Sequence, residues 1–493
     1  MTMKTSKLYK VQLPYLAIMW AVEKIFDKCP RNIREGILKV LSFLAAIYFP
    51  IRYSFRKVKI LQNNTARSYV LMLCLAIVIL CCSAKKGKKC RWNLWFVIPL
   101  FFFAVVIIIA YCFHPIGKGF FQLGITILIL LPLLSLELMS SDYFEKMVDF
   151  ISSAFLIVGI LFGIICIICQ PYVKGYFRLG YTGITVNPNF LGMVFLGTMI
   201  AASYSFFRMK SLVLTAIGYG ISIGMIMLSR SRTAIMAALI LMFITIVRYI
   251  RVYMSSTACS MHILRRLMIS FGCFLFVYYG MAFFTEQTGY HGIEVVRNNT
   301  DSYFKYTELE IKELNESTAM VETVYEKPSE DKLLFLATQT MLVNHDMNAG
   351  FTLKLPNFYR VNEFSSGRIG VYKFVLDNVN LLGHNMERDF FVSLGGEKLS
   401  GAHNTPLDFT FRCGWPAGIL CLLIEFFSVS FALKLLCGKK EVQPVAEFAS
   451  MIFVVFFIES MLEIQMLPVT RDITLLYYSV LPVLFIPAKQ WQV

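Results

Sequence analysis

The sequence predicts an all-α, polytopic membrane protein of about twelve transmembrane helices, with one large extracytoplasmic loop carrying short helices. Three observations carry that prediction. Of 493 residues, 57% are hydrophobic and only 16% charged, and the mean hydropathy is +0.63; a soluble domain is roughly 45–50% apolar and about 25% charged. Several apolar runs reach the roughly 17–25 residues that a helix needs to cross a bilayer. Charge is also segregated. Between Glu286 and Asp408 there are 18 acidic and 11 basic residues, whereas the rest of the chain holds 13 acidic and 36 basic ones. A soluble globular enzyme, a disordered chain and a secreted disulfide scaffold are excluded.

Taken in order, residues 1–36 read as a basic cytoplasmic N-terminus. No short apolar core with a small-residue cleavage site follows it, so no signal peptide is expected. Residues 37–284 form a helix bundle, with spans near 37–50, 68–84, 93–113, 118–138, 147–169, 188–207, 211–229, 233–248 and 266–284. Residues 285–408 form the large loop. Residues 409–493 return to the membrane through spans near 413–434, 445–465 and 473–488. Within the loop, 301–332 is charged and weakly periodic, and 366–408 mixes apolar and polar residues at helical spacing.

Lysine and arginine collect on the cytoplasmic side of membrane proteins. Lys85 to Arg91, Arg208 with Lys210, Arg248 to Arg266, and Lys439 with Lys440 all agree on one alternation. It places both termini inside and the 285–408 loop outside. The net charge of +16 therefore reflects topology and not nucleic-acid binding. One region disagrees. Residues 51–67 carry Arg52, Arg56, Lys57, Lys59 and Arg67, yet the same count puts them outside. Either the 14-residue run 37–50 does not span, or these charges serve a purpose at the outer surface.

None of the 13 cysteines lies between residues 285 and 408, so the loop has no disulfide framework. Cys166 and Cys169 form a CxxC inside an apolar run and read as core or lipid-facing residues. No Walker loop, GxGxxG, HExxH or GxSxG is present. ATP hydrolysis, nicotinamide redox, zinc proteolysis and serine hydrolysis lose support.

Three features remain. Leu228-Ser229-Arg230-Ser231-Arg232-Thr233 joins two apolar segments, and two arginines so near hydrocarbon need water or a partner. Ser365-Ser366-Gly367-Arg368 opens a helical stretch. A cation in a helix's first turn opposes the helix dipole, and a nearby anion would offset that. Gly401-Ala402-His403-Asn404-Thr405-Pro406 places a histidine just outside a membrane helix, where a neutral imidazole can take a proton from a hydroxyl. His345 and His384 compete for that role. Guanidinium is planar, always charged and bidentate, which suits a diphosphate. Arginines plus a base fit transfer from a lipid diphosphate to an alcohol, and no acidic cluster at metal-ligand spacing accompanies them. The bland alternatives are snorkelling arginines at 230 and 232, an exposed Arg368 and a structural His403.

On these residues the chain resembles the bacterial O-antigen ligase and O-antigen/capsule polymerase superfamily. Ser231-Arg232-Thr233-Ala234 is similar to that family's "SR" turn, and Ser366-Gly367-Arg368 to the arginine opening a helix in its external loop. His403-Asn404, nine residues and Gly414 resemble its HN…G signature. Asn187-Pro188-Asn189 before a helix adds support. The resemblance covers about residues 188–435. It implies a metal-independent, inverting glycosyltransferase without cofactor, in the bacterial cytoplasmic membrane. Its donor would be an undecaprenyl-diphosphate-linked oligosaccharide and its acceptor a glycan or lipid-linked glycan, with a flippase and a chain-length regulator as partners. By motif, His403 would activate the acceptor hydroxyl, and Arg232 and Arg368 would bind the diphosphate, with Arg230 and Arg178 as further candidates. Asn404, Gly414, Ser366, Gly367 and Asn187 would support them. Polymerisation of repeat units is the leading expectation, and Ala417, where the ligase pattern often has glycine, favours it. Transfer to lipid A-core by a ligase and transport by a flippase are the alternatives. The acids available for transport are Glu137, Glu425, Glu459 and Glu463.

Overall fold

The computed structural model describes residues 4–26, 28–55, 63–83, 91–138, 142–171, 180–185, 187–208, 211–253, 257–288, 368–385, 393–394, 397–398, 401–438 and 440–492. The expectations for 289–367, including His345 and the stretch 301–332, and those for Arg178, Ser366 and Gly367 lie outside these residues. So do Arg56, Lys57 and Lys59.

The described chain is helical apart from a short hairpin of Ser393–Leu394 with Glu397–Lys398. Its helices are α1 (Lys4–Phe26), α2 (Arg31–Ser54), α3 (Asn64–Cys82), α4 (Leu94–Phe113), α5 (Lys118–Leu138) and α6 (Asp142–Cys169). They continue as α7 (Pro188–Phe207), α8 (Leu212–Ser229), α9 (Arg232–Tyr253), α10 (Arg265–Thr288), α11 (Arg368–Asp377), α12 (Thr405–Cys413), α13 (Trp415–Leu436), α14 (Pro444–Leu462) and α15 (Asp472–Phe485). Ten of these are long and apolar enough to cross a membrane: α2 to α8, α10, α13 and α14. The other two predicted spans correspond to α9 and to the shorter apolar α15.

Two differences from the sequence reading have physical causes. The run 37–50 is the middle of a 24-residue helix, about 36 Å long at 1.5 Å per residue, which exceeds the roughly 30 Å hydrocarbon core. Helical hydrogen bonds do not require apolar side chains, so the mostly polar residues 31–35 extend the helix. Arg34 is tied down there by the carbonyls of Cys29 (3.2 Å) and Ser83 (3.0 Å). The N-terminal segment is also ordered. Tyr15 on α1 donates to the Leu128 carbonyl of α5 at 2.9 Å and meets Trp92 edge-on at 5.7 Å. Leu128 lies in a π turn, Thr126–Leu130, where the register of the helical ladder shifts.

The centre of the bundle is α7 with α14. Of their apolar stretches 83% and 78% are buried, against 11% for α10, which lies at the periphery. Small residues permit that packing: a Cβ at Gly159 would strike Thr198 Oγ1 at 2.0 Å. Cys166 is buried and both CxxC cysteines are free thiols, in keeping with a packing role.

Consecutive antiparallel spans give the bundle two ends. One is closed by a buried ion pair. Arg248 of α9, 2% exposed, places Nε 3.3 Å from Glu447 Oε1 of α14 and donates from Nη1 to the carbonyls of Gly438 and Lys440, each at 3.0 Å. Removing one member leaves an uncompensated charge, typically at a cost of about 3–5 kcal/mol. Glu447→Leu should therefore lower the thermal unfolding temperature of the purified protein markedly. Arg248→Met/Glu447→Leu together should lose less than the sum of the two single changes. Strict additivity would show that the two charges are not coupled.

Candidate active site

The opposite end of the bundle collects the three sequence features. The 463–471 segment, between α14 and α15, is the seat onto which they assemble.

Local rules set α12 there. Asn404 is its N-cap: the side-chain oxygen accepts from Leu407 N–H at 3.0 Å, and Pro406 lies in the first turn, where no N–H is needed. Asn404 Nδ2 donates to the Met461 carbonyl at 2.9 Å. Thr405 Oγ1 donates to the Glu463 carbonyl at 2.9 Å and accepts from Gln465 N–H at 2.7 Å. These bonds fix the start of α12 on the end of α14. Asp408 accepts from Ala402 N–H at 2.8 Å and pairs with Arg412 at 2.8 Å, turning the chain back over residues 401–404. His403 takes the bend in a left-handed conformation, φ +51°. A non-glycine residue there is strained and is held only by surrounding contacts. Tyr372 of α11 contributes one, donating to the His403 carbonyl at 3.3 Å.

The carboxylate of Glu463 organises the side chains. Oε1 lies 3.1 Å from Arg368 Nη2. Oε2 lies 3.6 Å from Arg471 Nη2 and 3.7 Å from His403 Nδ1. The last two are ion-pair separations, longer than a good hydrogen bond. Arg368 also donates from Nη1 to the Leu462 carbonyl at 2.7 Å. Glu463 is 8% exposed by side chain whereas His403 is 34% exposed, so the imidazole remains accessible. Burial alone would push the Glu463 carboxyl up. The nearby His403 and the charges of Arg471 and Arg368 outweigh it and hold the group below its ordinary value. The offset that the sequence demanded for a cation at a helix start is thus supplied by the protein itself, since Arg368 is the first residue of α11.

α11 is fixed by a small separate core of Val371, Val375, Ala402 and Phe411, with Phe374 and Leu407 against it. The chain after α11 then crosses the junction of α12 and α13. His384 N–H donates to the Phe411 carbonyl at 2.7 Å and Trp415 N–H to the Asn380 carbonyl at 2.9 Å. Gly414 turns that junction at φ +87°, and a Cβ on it would meet the Leu381 carbonyl oxygen at 2.0 Å. Gly383, also at φ +87°, faces the Arg412 carbonyl oxygen at 2.2 Å in the same sense. His384 stacks on Phe411 at 4.7 Å and bonds Asn380 and the Asn378 carbonyl, which makes it part of this crossing.

The arginine turn joins the seat through α7. Asn187 caps α7 by accepting from Asn189 N–H at 2.8 Å. A Cβ at Gly192 of α7 would meet Ala234 Cβ at 2.8 Å and Ser231 Cβ at 3.2 Å, so the turn 229–232 lies directly on this helix. The next residue, Met193, touches Arg471 (Sδ to Nη1, 3.4 Å). Arg230 takes the left-handed conformation, φ +53°, and Arg232 opens α9; both are exposed. Arg368, His403 and Asn404 are therefore brought together around Glu463, and the turn bearing Arg230 and Arg232 is linked to them through Gly192, Met193 and Arg471.

Sequence reasoning missed Arg471 and the role of Glu463. Of the acids considered for transport, Glu425 accepts from Ser460 at 2.7 Å and Glu459 accepts from Gln465 at 3.3 Å, both inside the bundle, while Glu463 lies beyond the end of α14.

A depressed carboxyl pKa carries a definite sign. Glu463 stabilises the fold above its ordinary value of about 4.3 and ceases to do so as pH falls through the lowered value. Thermal unfolding of Glu463→Gln against the parent should show the widest gap above about pH 5, narrowing as the pH falls below the ordinary value of the carboxyl. A gap independent of pH would contradict the ionised state of this carboxylate.

Compared with known proteins, the chain matches no protein-family model and no curated protein.

Proposed function

We propose that the protein is a membrane glycosyltransferase that polymerises undecaprenyl-diphosphate-linked oligosaccharide repeat units on the outer face of a bacterial cytoplasmic membrane. The observation that carries this reading is the Glu463 carboxylate, shared between an accessible histidine and two arginines. A base and guanidiniums gathered at one end of an apolar bundle suit a substrate whose lipid lies in the membrane and whose glycan lies in water.

In this reading the Glu463 charge, 3.7 Å from Nδ1, favours the proton on that nitrogen and leaves Nε2 as the base. Nε2 takes the proton of the acceptor hydroxyl while that oxygen bonds to the anomeric carbon of the donor. The bond from that carbon to the diphosphate oxygen breaks on the opposite face, which inverts the centre. The electron pair leaves with the diphosphate, and guanidinium charge stabilises it as it develops. Arg368 and Arg232 are the principal ligands of that group, with Arg230 and, by motif alone, Arg178 as further candidates. Arg471 acts on Glu463 and positions it. The diphosphate–sugar bond supplies the free energy, so the reaction needs no nucleotide and no metal.

Two experiments test the assignment. In transfer assays with purified lipid-linked donor, His403→Ala should lose on the order of 10²–10⁴ in rate with donor binding nearly intact; lost binding would make the histidine structural. Arg368→Lys should stay impaired although charge is kept, because the fork geometry is lost, and full activity would remove Arg368 from the diphosphate. In cells lacking the protein, single repeat units accumulating on the lipid carrier would establish polymerisation. Long lipid-linked chains absent from lipid A-core would establish a ligase instead, and unchanged glycans would overturn both.

A further inference from the structure

The basic segment that the topology count places on the wrong side of the membrane is anchored at the His403 end of the bundle. Arg52, in the last turn of α2, donates from Nη1 to the Val469 carbonyl at 3.1 Å and to the Thr470 carbonyl. Arg67, near the start of α3, donates from Nη1 to the same Val469 carbonyl at 3.0 Å and from Nε to the Asn63 carbonyl at 3.2 Å. Two guanidiniums from different helices thus share one carbonyl oxygen. The charges of Arg67 and Arg471 both reach Arg52. Among the described residues, Arg52, Arg67, Arg368 and Arg471 act on one another and on Glu463, Asp472 and Glu459 around this segment. Cations remain in excess even with every acid ionised. Like charges so close repel, and carbonyl dipoles offset that only in part.

The two arginines of the segment are not equivalent. Arg67 is 8% exposed and bonds through all three nitrogens, with Asn64 taking Nη2. It is a structural strut. Arg52 is half-buried and uses Nη1 alone, so its Nε and Nη2 edge makes no hydrogen bond among the described residues. That edge is a two-pronged donor of the shape that fits a phosphate oxygen pair.

We infer that Arg52, backed by Arg67 and Arg471, forms a phosphate-binding site on the 469–471 backbone, beside the Glu463 cluster and separate from it. The ligand class is a phosphate or diphosphate ester, carried by a lipid-linked glycan or by an anionic phospholipid headgroup. The site requires only an anion at this end of the bundle and stands whether or not His403 transfers a glycan.

The test uses the full chain in phosphatidylcholine nanodiscs, with inorganic pyrophosphate as the probe in a binding titration. The parent should bind, and Arg52→Gln should bind roughly tenfold more weakly or worse, as expected for loss of a charge-assisted hydrogen bond. Arg31→Gln, an exposed arginine at the other end of the bundle, should bind like the parent. Repeating the titration with phosphatidylglycerol in the discs separates the sources. Pyrophosphate affinity that falls in the parent but not in Arg52→Gln identifies a lipid headgroup as occupant; affinity unchanged by lipid identifies a phosphate ester other than the bulk lipid. Arginine footprinting with phenylglyoxal on the parent does not depend on how a variant folds. Pyrophosphate should slow labelling of Arg52 relative to Arg31. Equal labelling with and without pyrophosphate, or equal binding by parent and Arg52→Gln, would overturn the site.

Discussion

A carboxylate buried at the end of a helix is untenable unless positive charge and polar partners surround it, and at Glu463 two arginines and a histidine from three parts of the chain do so. Arg368 comes from 95 positions upstream, His403 from the bend before α12, and Arg471 from the segment leading into α15. Each of these elements could be placed in other ways by hydrophobic packing alone. The charge favours this arrangement, because moving Arg368, His403 or Arg471 away leaves Glu463 with fewer partners. The strained backbone of His403 follows from it. The histidine is held at φ +51° because Asn404 and Thr405 are fixed to the end of α14 on one side and Asp408 draws the chain back on the other.

The membrane architecture was legible in the sequence, since the bilayer imposes length and apolarity on every span and leaves few other solutions. All twelve predicted runs are helical in the structure, and ten qualify as spans by length and apolarity. What escaped was helix outside the apolar runs. α1 carries lysines, a glutamate and Pro14, so nothing in its composition marks it as part of the bundle. The first turns of α2 are polar, which made a 24-residue helix look like a 14-residue one. Hydropathy detects the environment of side chains and is silent on how far the backbone ladder continues.

The site was legible in halves. His403 and Arg368 stood out through their flanking small and capping residues, whose local geometry is written in adjacent positions. Glu463 closes an apolar run and reads as an ordinary interfacial acid; its meaning lies in His403 and Arg368, 60 and 95 positions upstream, and in Arg471 across the turn that follows it. Arg52 and Arg67 were visible only as an anomaly of topology, and the carbonyls that hold them belong to residues more than 400 positions downstream. Contacts of that range leave no trace in local pattern.

The paired glycines at 383 and 414 have a consequence for how this protein tolerates change. Each lies so close to the other segment's backbone that no side chain fits, so together they pin residues 380–384 to 411–415 like the crossed ends of a drawn purse-string. Thr405, bonded to the Glu463 carbonyl, secures the start of α12 independently of that crossing. The bend that carries His403 therefore stands on two separate anchors, and a side chain at either glycine would load one of them while leaving the other in place.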